Sequence, residues 1–454
     1  MFDQLKQILS KVKAGYADLR YELKTETQIA YDGRELSLMT SNSTDGYVLR
    51  VLKSGGLATI SFTKASDAEK AIRTAEENAA LIGKRIKAPV QLARVEPIKD
   101  TYHPKLDIDP RQVPIDEKLE LLRHYNEIPL QQSKVATTAT SYWDLTRDRC
   151  FVSSEGSEIR EDLVTTRVSG TIISKDGVLT QTVRTACGGS DGFARVKNRE
   201  SEFEEKTALA LNMLKAKPVK AGSYRVILNQ RLSGVFTHEA FGHFSEADLI
   251  EDSPTMRAKM QMGAKLGTDI LNIKDDPTRL NQLGHYKYDD EGVLARSTQL
   301  MKDGVLVGRL HSRRTAAAYG EPVSGHNIAE DFRFAPIIRM GCIFIEPGRL
   351  SFDDLCAKLG DGLYLVNSMG GQTEGENFTF GAQYGYQVKG GKLTDMIRDI
   401  NISGNLYATL KNISAIGNDL LLAEAGGCGK GQLNLRSCNG SPHVIVDSVL
   451  IGGV

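Results

Sequence analysis

The sequence predicts a mixed α+β protein, with N-terminal α/β lobes built on antiparallel sheets and a C-terminal β-rich domain whose sheet is curved or barrel-like. Three observations carry this expectation. The chain has 454 residues, enough for roughly two to three domains that each bury a core. Apolar and polar residues alternate from Tyr21 to Lys64 and again from Val135 to about Arg195, each run being followed by a helical pattern. From Leu306 onward the chain is rich in glycine and β-forming residues, with turn dipeptides at Asp303-Gly304, Gly370-Gly371 and Gly390-Gly391. The expected divisions are residues 1–90, 91–219 and 220–454.

Taken in order, Phe2, Leu5, Ile8, Leu9 and Val12 fall at helical spacing, and this opening segment lacks the apolar run and cleavage site of a signal peptide. The alternating run that follows reads as an antiparallel meander with turns at Asp32-Gly33, Asp45-Gly46 and Gly55-Gly56. Ser66-Asp67-Ala68-Glu69 has the form of a capping box, so the Ala- and Glu-rich stretch to Lys84 should be a helix packed on that meander. Pro89, Pro97, Pro104, Pro110 and Pro114 mark residues 87–114 as an extended connection. A helix is expected over Ile115 to Ile128, then strands turning at Ser154-Glu155-Gly156 and Lys175-Asp176-Gly177, then a charged helix from Asn198 to about Lys217. The apolar strand Tyr224 to Leu228 opens the C-terminal region.

Composition narrows the functional classes. Lys+Arg and Asp+Glu both number 57, so the chain carries no basic excess and direct nucleic-acid binding is not expected. No stretch approaches the ~20 apolar residues of a membrane span, so no membrane association is expected and the cytoplasm is the default location. Six scattered cysteines without a C-x-x-C pair fit reduced thiols.

The strand at Leu228 leads directly into His238-Glu239-Ala240-Phe241-Gly242-His243. Two histidines flanking a carboxylate suit a zinc ion with an activated water, which makes a metal-dependent hydrolase the leading expectation. In H-E-x-x-H motifs the histidines are four apart and share a helix face. Here they are five apart, and a regular helix would splay them by about 140°. Both reach one metal only if the turn carries an extra residue, a π-bulge, which Gly242 is expected to ease. In this reading His238 and His243 are ligands and Glu239 is the general base. Spacing alone fits equally a pair of satisfied helical histidines, so the third ligand matters. Glu246, Asp248, Glu251 and Asp252 lie just downstream, and distant His, Cys or Asp residues are further candidates.

Read with its extension through Phe244-Ser245-Glu246-Ala247-Asp248, the motif falls into a series of matching stretches. The others are Tyr31-Asp32-Gly33-Arg34, Ser153-Ser154-Glu155-Gly156, Asp289-Asp290-Glu291-Gly292-Val293, Pro336-Ile337-Ile338-Arg339-Met340 and Asp447-Ser448-Val449-Leu450-Ile451-Gly452-Gly453. In this order they closely resemble the TldD/PmbA family of peptidases, on its metal-bearing TldD side, across nearly the whole chain. The resemblance implies a third metal ligand that spacing does not supply. It is the cysteine of the family's Cys-Gly-Lys-x-Gly-Gln segment, matched by Cys428-Gly429-Lys430-Gly431-Gln432, while Cys438 and His443 nearby match no family ligand. The chain departs from the family in three places. The Cys428 segment is one residue shorter, Ser324-Gly325-His326-Asn327 replaces a Gly-Asn-containing stretch, and Gly341-Cys342 stands where Thr-Asn is usual. Cleavage specificity is therefore not carried over.

The resemblance implies a zinc-dependent peptidase acting on small or unfolded polypeptides, with another divalent ion also suited to histidine and thiolate ligands. An extended peptide pairing with a free strand edge would suit the β-rich half. The family also implies a dimer, either a homodimer or a heterodimer with a TldE/PmbA-like partner that lacks the motif. Because the family has also carried the label "modulator of DNA gyrase", a non-catalytic regulatory protein-binding subunit is the alternative.

Overall fold

Residues 16–62 alternate because each strand lies on a core with one face and on solvent with the other. They form β1 (Tyr16–Asp32), β2 (Glu35–Lys53) and β3 (Gly56–Phe62) in the computed structural model, which describes residues 1–251, 253–424, 426–433 and 435–452. The turns at Gly33 and Gly55 stand where the sequence places them, both with positive φ. The third expected turn, Asp45-Gly46, is absent: it lies in the middle of β2, paired with Glu22 and Leu23 of β1. Gly46 serves a close approach instead, since a Cβ there would lie 2.3 Å from the ring of Phe332. The capping box is likewise not formed. A short 3₁₀ turn over Ala65–Asp67 leads into α2 (Ala68–Arg85), and no side chain caps it. The helix is held by packing of Ala68, Ile72, Ala75 and Ala79, with α1 (Phe2–Leu9) burying Leu5, Ile8 and Leu9 in the same cluster.

One strand crosses the proline-rich connection: β4 (Lys99–Tyr102). After α3 (Ile115–Leu130) come β5 (Val135–Ser153), β6 (Glu158–Asp176) and β7 (Leu179–Gly189), then α4 (Glu200–Met213). β1 pairs with β5 from Asp18↔Ser153 to Asp32↔Ala139, so both N-terminal segments share one seven-stranded sheet in the order β3-β2-β1-β5-β6, with β4 and β7 on the far edge of β6. Nothing local in the sequence marks that pairing between segments more than a hundred residues apart.

The C-terminal region closes on itself. β8 (Gly222–Leu228), β9 (Gly362–Glu374), β10 (Asn377–Lys389), β11 (Ile400–Asn405) and β12 (Val444–Gly452) pair in the ring β8-β9-β10-β11-β12-β8. A closed five-stranded barrel results, as the curved or barrel-like expectation had it, and closure leaves these strands no free edge within the ring. Val226, Leu228, Phe378, Phe380, Ile402 and Val446 belong to its core cluster. A second sheet brings Cys342–Ile345 beside Cys438–Ser441 in parallel. Helix α5 (Gln230–Thr237) leaves the end of β8 and carries the histidines. No helix among the described residues is long and apolar enough to cross a membrane.

The inner face of the N-terminal sheet meets the C-terminal region through buried charge. Asp290 accepts from Arg149 at 2.6 Å and pairs with Arg20, Glu22 binds Arg147 through both oxygens, and Arg50 bridges Asp18 and Glu291.

Candidate metal centre

Asn229 begins the site by capping α5, its side chain accepting from the Leu232 N–H at 2.9 Å. The helix then widens into a π turn over His238–Gly242, in which the His243 N–H donates to the His238 carbonyl. That i→i+5 bond is the distortion the five-residue spacing requires, and it brings the two imidazoles edge to face with centroids 5.1 Å apart. Gly242 contributes differently from the expectation. Its dihedrals are ordinary helical ones (φ −57°, ψ −51°), so it does not ease the backbone. It makes room: a Cβ there would fall 2.1 Å from Met340 Sδ and 3.0 Å from Ile343 Cδ1.

Cys428 arrives from the opposite end of the chain on a loop tied down by its own polar residues. Lys430 Nζ donates to Glu246 Oε2 (3.0 Å), Asp248 Oδ1 (2.7 Å) and the Ile338 carbonyl (3.2 Å). Gln432 accepts from the Glu330 N–H and donates to the Ala335 carbonyl. The result is one cluster, in which donor atoms of His238, Glu239, His243 and Cys428 all lie within 4.8 Å of one another. The Cys428 thiol is 3.5 Å from His243 Nε2, and a Glu239 oxygen is 3.6 Å from the same nitrogen. Every site residue expected from the sequence is in this cluster.

Electrostatics pairs Cys428 and His243 as thiolate and imidazolium, so that a metal bound here would displace the His243 proton. Burial would push the Cys428 thiol up, but the proximity of His238, the bond to His243 and the Arg339 charge bring it down to about 5. Burial would push His243 down, but Cys428 and Glu246 lift it to about 9. His238 is only 4% exposed, and neither of its ring nitrogens finds a hydrogen-bond partner among the described residues. A buried imidazole without a partner is costly unless something absent from the polypeptide binds it. Two imidazoles, one of them unsatisfied, and a thiol poised as thiolate form a donor set suited to zinc.

The acidic residues once open as third ligands have other partners. Glu246, fully buried, accepts from His243 Nδ1 at 3.3 Å and lies 3.7 Å from the buried Arg339 guanidinium. Burial would raise its carboxyl, yet His243, Arg339 and Lys430 hold it below the usual range. Asp248 is bonded to Lys430, and Glu251 binds Arg314 through both oxygens. Asp252 and Gly453 lie outside the described residues. Cys438 is buried and donates to the Ala423 carbonyl, while His443 is held between Asp419 and Tyr364. In the supporting set, Glu246 and Asp248 are residues the sequence offers as ligands and not as supports, and Lys430 and Arg339 carry no such signal. Its members sit in the matching stretches, but three segments spread over 185 residues give no sign of converging.

Comparison with known proteins bears on this arrangement. Models of the PmbA/TldA metallopeptidases match three consecutive stretches: domain 1 at residues 17–79, the central domain at 108–217 and the C-terminal domain at 221–453. The chain belongs to this family. A metalloprotease of Synechocystis sp. is 33% identical over 444 residues, covering 97% of this chain and 95% of the relative. A protein of Saccharolobus solfataricus named zinc metalloprotease TldD homolog is 29% identical, covering all of both chains. Among solved structures, a Thermotoga maritima protein named as a candidate modulator of a DNA gyrase superposes with a TM-score of 0.81 at 19% identity. TldE from Thermococcus kodakarensis superposes with a TM-score of 0.79 at 17% identity, and both cover the full length of each chain. At such identities these two structures speak for the fold alone.

Proposed function

We propose that this chain is a zinc-dependent peptidase of small or unfolded polypeptides, with His238, His243 and Cys428 holding the metal and Glu239 acting as general base. The observation that carries the reading is the buried, unpartnered imidazole of His238 beside a cysteine held near pKa 5. The family membership and the relatives named metalloproteases support the same reaction class. A zinc ion held by these residues would supply Lewis acidity and let water ionise near neutral pH.

The chain's own groups do the rest. The Glu239 side chain is about one-third exposed, so solvent water reaches its carboxylate. Its carboxylate takes a proton from the attacking water and returns it to the leaving amine, so one group serves both halves of the reaction. Glu246 accepts from the Nδ1 side of His243, leaving Nε2 toward the cluster. The cytoplasm is the compartment that suits six free cysteines. A homodimer, or a pairing with a TldE/PmbA-like subunit, is the assembly we assign, the shared fold of TldE supporting the latter.

Replacement of Glu239 with Gln tests the mechanism. The variant should retain about one zinc per chain and lose peptide hydrolysis by roughly 10²-fold or more. Undiminished hydrolysis refutes the assignment, and a folded chain without affinity for zinc would favour the non-catalytic reading.

A further inference from the structure

A cavity of about 330 Å³, the size of a small-ligand site, opens between the N-terminal sheet and α5. Three guanidinium groups line it, those of Arg167, Arg184 and Arg231, and none of its lining residues is acidic. Three positive side chains and no acidic one around a single opening favour an anion there. Arg184 donates to the Met369 carbonyl at 3.3 Å, whereas the Nε of Arg167 is buried and unbonded among the described residues. Burial pulls the Arg167 pKa down, opposed only by Cys187. Of the acids that adjoin the wall, Glu424 is paired with Arg195 and Arg199, while Glu202 accepts from the Thr185 hydroxyl and keeps its charge outside the lining.

The rim is rigidly made. Asn367, at φ +57°, takes a hydrogen bond from Asn229 Nδ2 at 3.1 Å and gives one to Gln383 at 3.1 Å, and Asn229 also caps α5. The cap of the helix and the wall of the cavity are thus joined by a hydrogen bond between Asn229 and Asn367. Arg231 and Val235, four apart on α5, both line the cavity, and Glu239 follows four residues later in the π turn that continues the helix. Eight residues of helix span roughly 12 Å, which an extended peptide covers with three to four residues.

We propose that this cavity is a carboxylate-binding subsite for the substrate chain, holding a negatively charged group three to four residues from the bond that Glu239 serves. The assignment rests on the peptidase reading for the identity of the ligand. Paired N–H donors on three guanidinium groups match a planar carboxylate. Two sources carry that group: the free C-terminus of a short peptide and an acidic side chain within a longer one. The subsite therefore selects peptides by charge at a fixed distance from the scissile bond, leaving the side chains next to that bond free to vary.

Fluorescence anisotropy on the zinc-loaded E239Q chain tests this, using labelled unstructured peptides ending in a carboxylate, in an amide, or in an amide with a single Glu. The carboxylate-bearing peptide should bind roughly tenfold or more tightly than the plain amide, and R167Q or R231Q should erase that difference while R231K keeps part of it. An advantage confined to the free terminus, or to the Glu peptide, identifies the source. Equal binding of all three peptides by the parent chain, or no binding of any, overturns the subsite without reference to a variant's folding. Hydrolysis that survives in E239Q would refute the peptidase mechanism instead, and leaves the binding comparison to be read separately.

Discussion

Glu246 is where folding and metal affinity can be separated by one substitution. Its Oε2 takes His243 Nδ1 at 3.3 Å and Lys430 at 3.0 Å, and its other oxygen faces Arg339, whose guanidinium nitrogens make no hydrogen bond among the described residues. Glu246→Gln keeps the shape and removes the charge. For the metal, loss of the carboxylate behind a ligating imidazole costs roughly 10- to 100-fold in affinity, or about 1.4 to 2.7 kcal/mol. For the fold, Arg339 is fully buried and would lose its carboxylate partner, with only the Cys428 thiolate left as a nearby negative charge, which costs about 3–5 kcal/mol. Competition with a zinc chelator reads the first quantity on folded protein, and urea unfolding of the metal-free chain reads the second. Asp248→Asn is the comparison, since Asp248 touches Lys430 but not His243 and should leave zinc affinity nearly unchanged. Zinc affinity within twofold of the parent in Glu246→Gln, with unchanged stability, would refute the reasoning.

Two other expectations follow from the same kind of accounting. Gly242→Ala should destabilise the chain by about 1–3 kcal/mol, because crowding against Met340 and Ile343 outweighs the gain of up to ~1 kcal/mol in helix propensity; recovery in a double variant with Met340→Ala, read by thermal unfolding, checks the cause. Asp290→Asn should cost about 3–5 kcal/mol near neutral pH by removing the carboxylate shared by the buried Arg20 and Arg149, which keep only Glu22 and Glu161. Burial opposes ionisation of Asp290, but Arg20, Arg149 and Arg147 hold its carboxyl well below the usual range. A depressed pKa contributes stability that is present above the unfolded value of about 3.9 and lost as pH falls. The stability gap between parent and Asp290→Asn should therefore narrow below about pH 4; a constant gap would show that the ion pairs are not its source.

The candidate metal centre is unevenly legible in the sequence. The histidine spacing implied a π turn because helix geometry is local and the angle between residues five apart follows from chain geometry alone. Cys428 came from resemblance, since a lone cysteine in a glycine-rich loop carries no signal of what it faces 185 residues away. The purpose of Gly242 was misjudged for a related reason: a glycine's sequence context announces conformational freedom, whereas here it answers a methionine from another segment. Asp45-Gly46 misled similarly, reading as a turn when the glycine instead admits the Phe332 ring into a continuous strand.

By itself the sequence determined the mixed α+β class, the alternation that makes β1 to β3 and β5 to β7, the barrel-like character of the C-terminal region and the pair of histidines flanking Glu239. These are periodic or short-range properties, encoded by which side of each element must be apolar and by the few backbone shapes that a turn or helix permits. Only the tertiary structure decided that two N-terminal segments share one sheet, that Glu246 and Lys430 hold His243 and the Cys428 loop, and that three arginines gather around a cavity. Each is a long-range contact between segments whose local patterns are compatible with many partners. What selects among those partners is mutual satisfaction of buried charge and shape, and that exists only once the chain is folded.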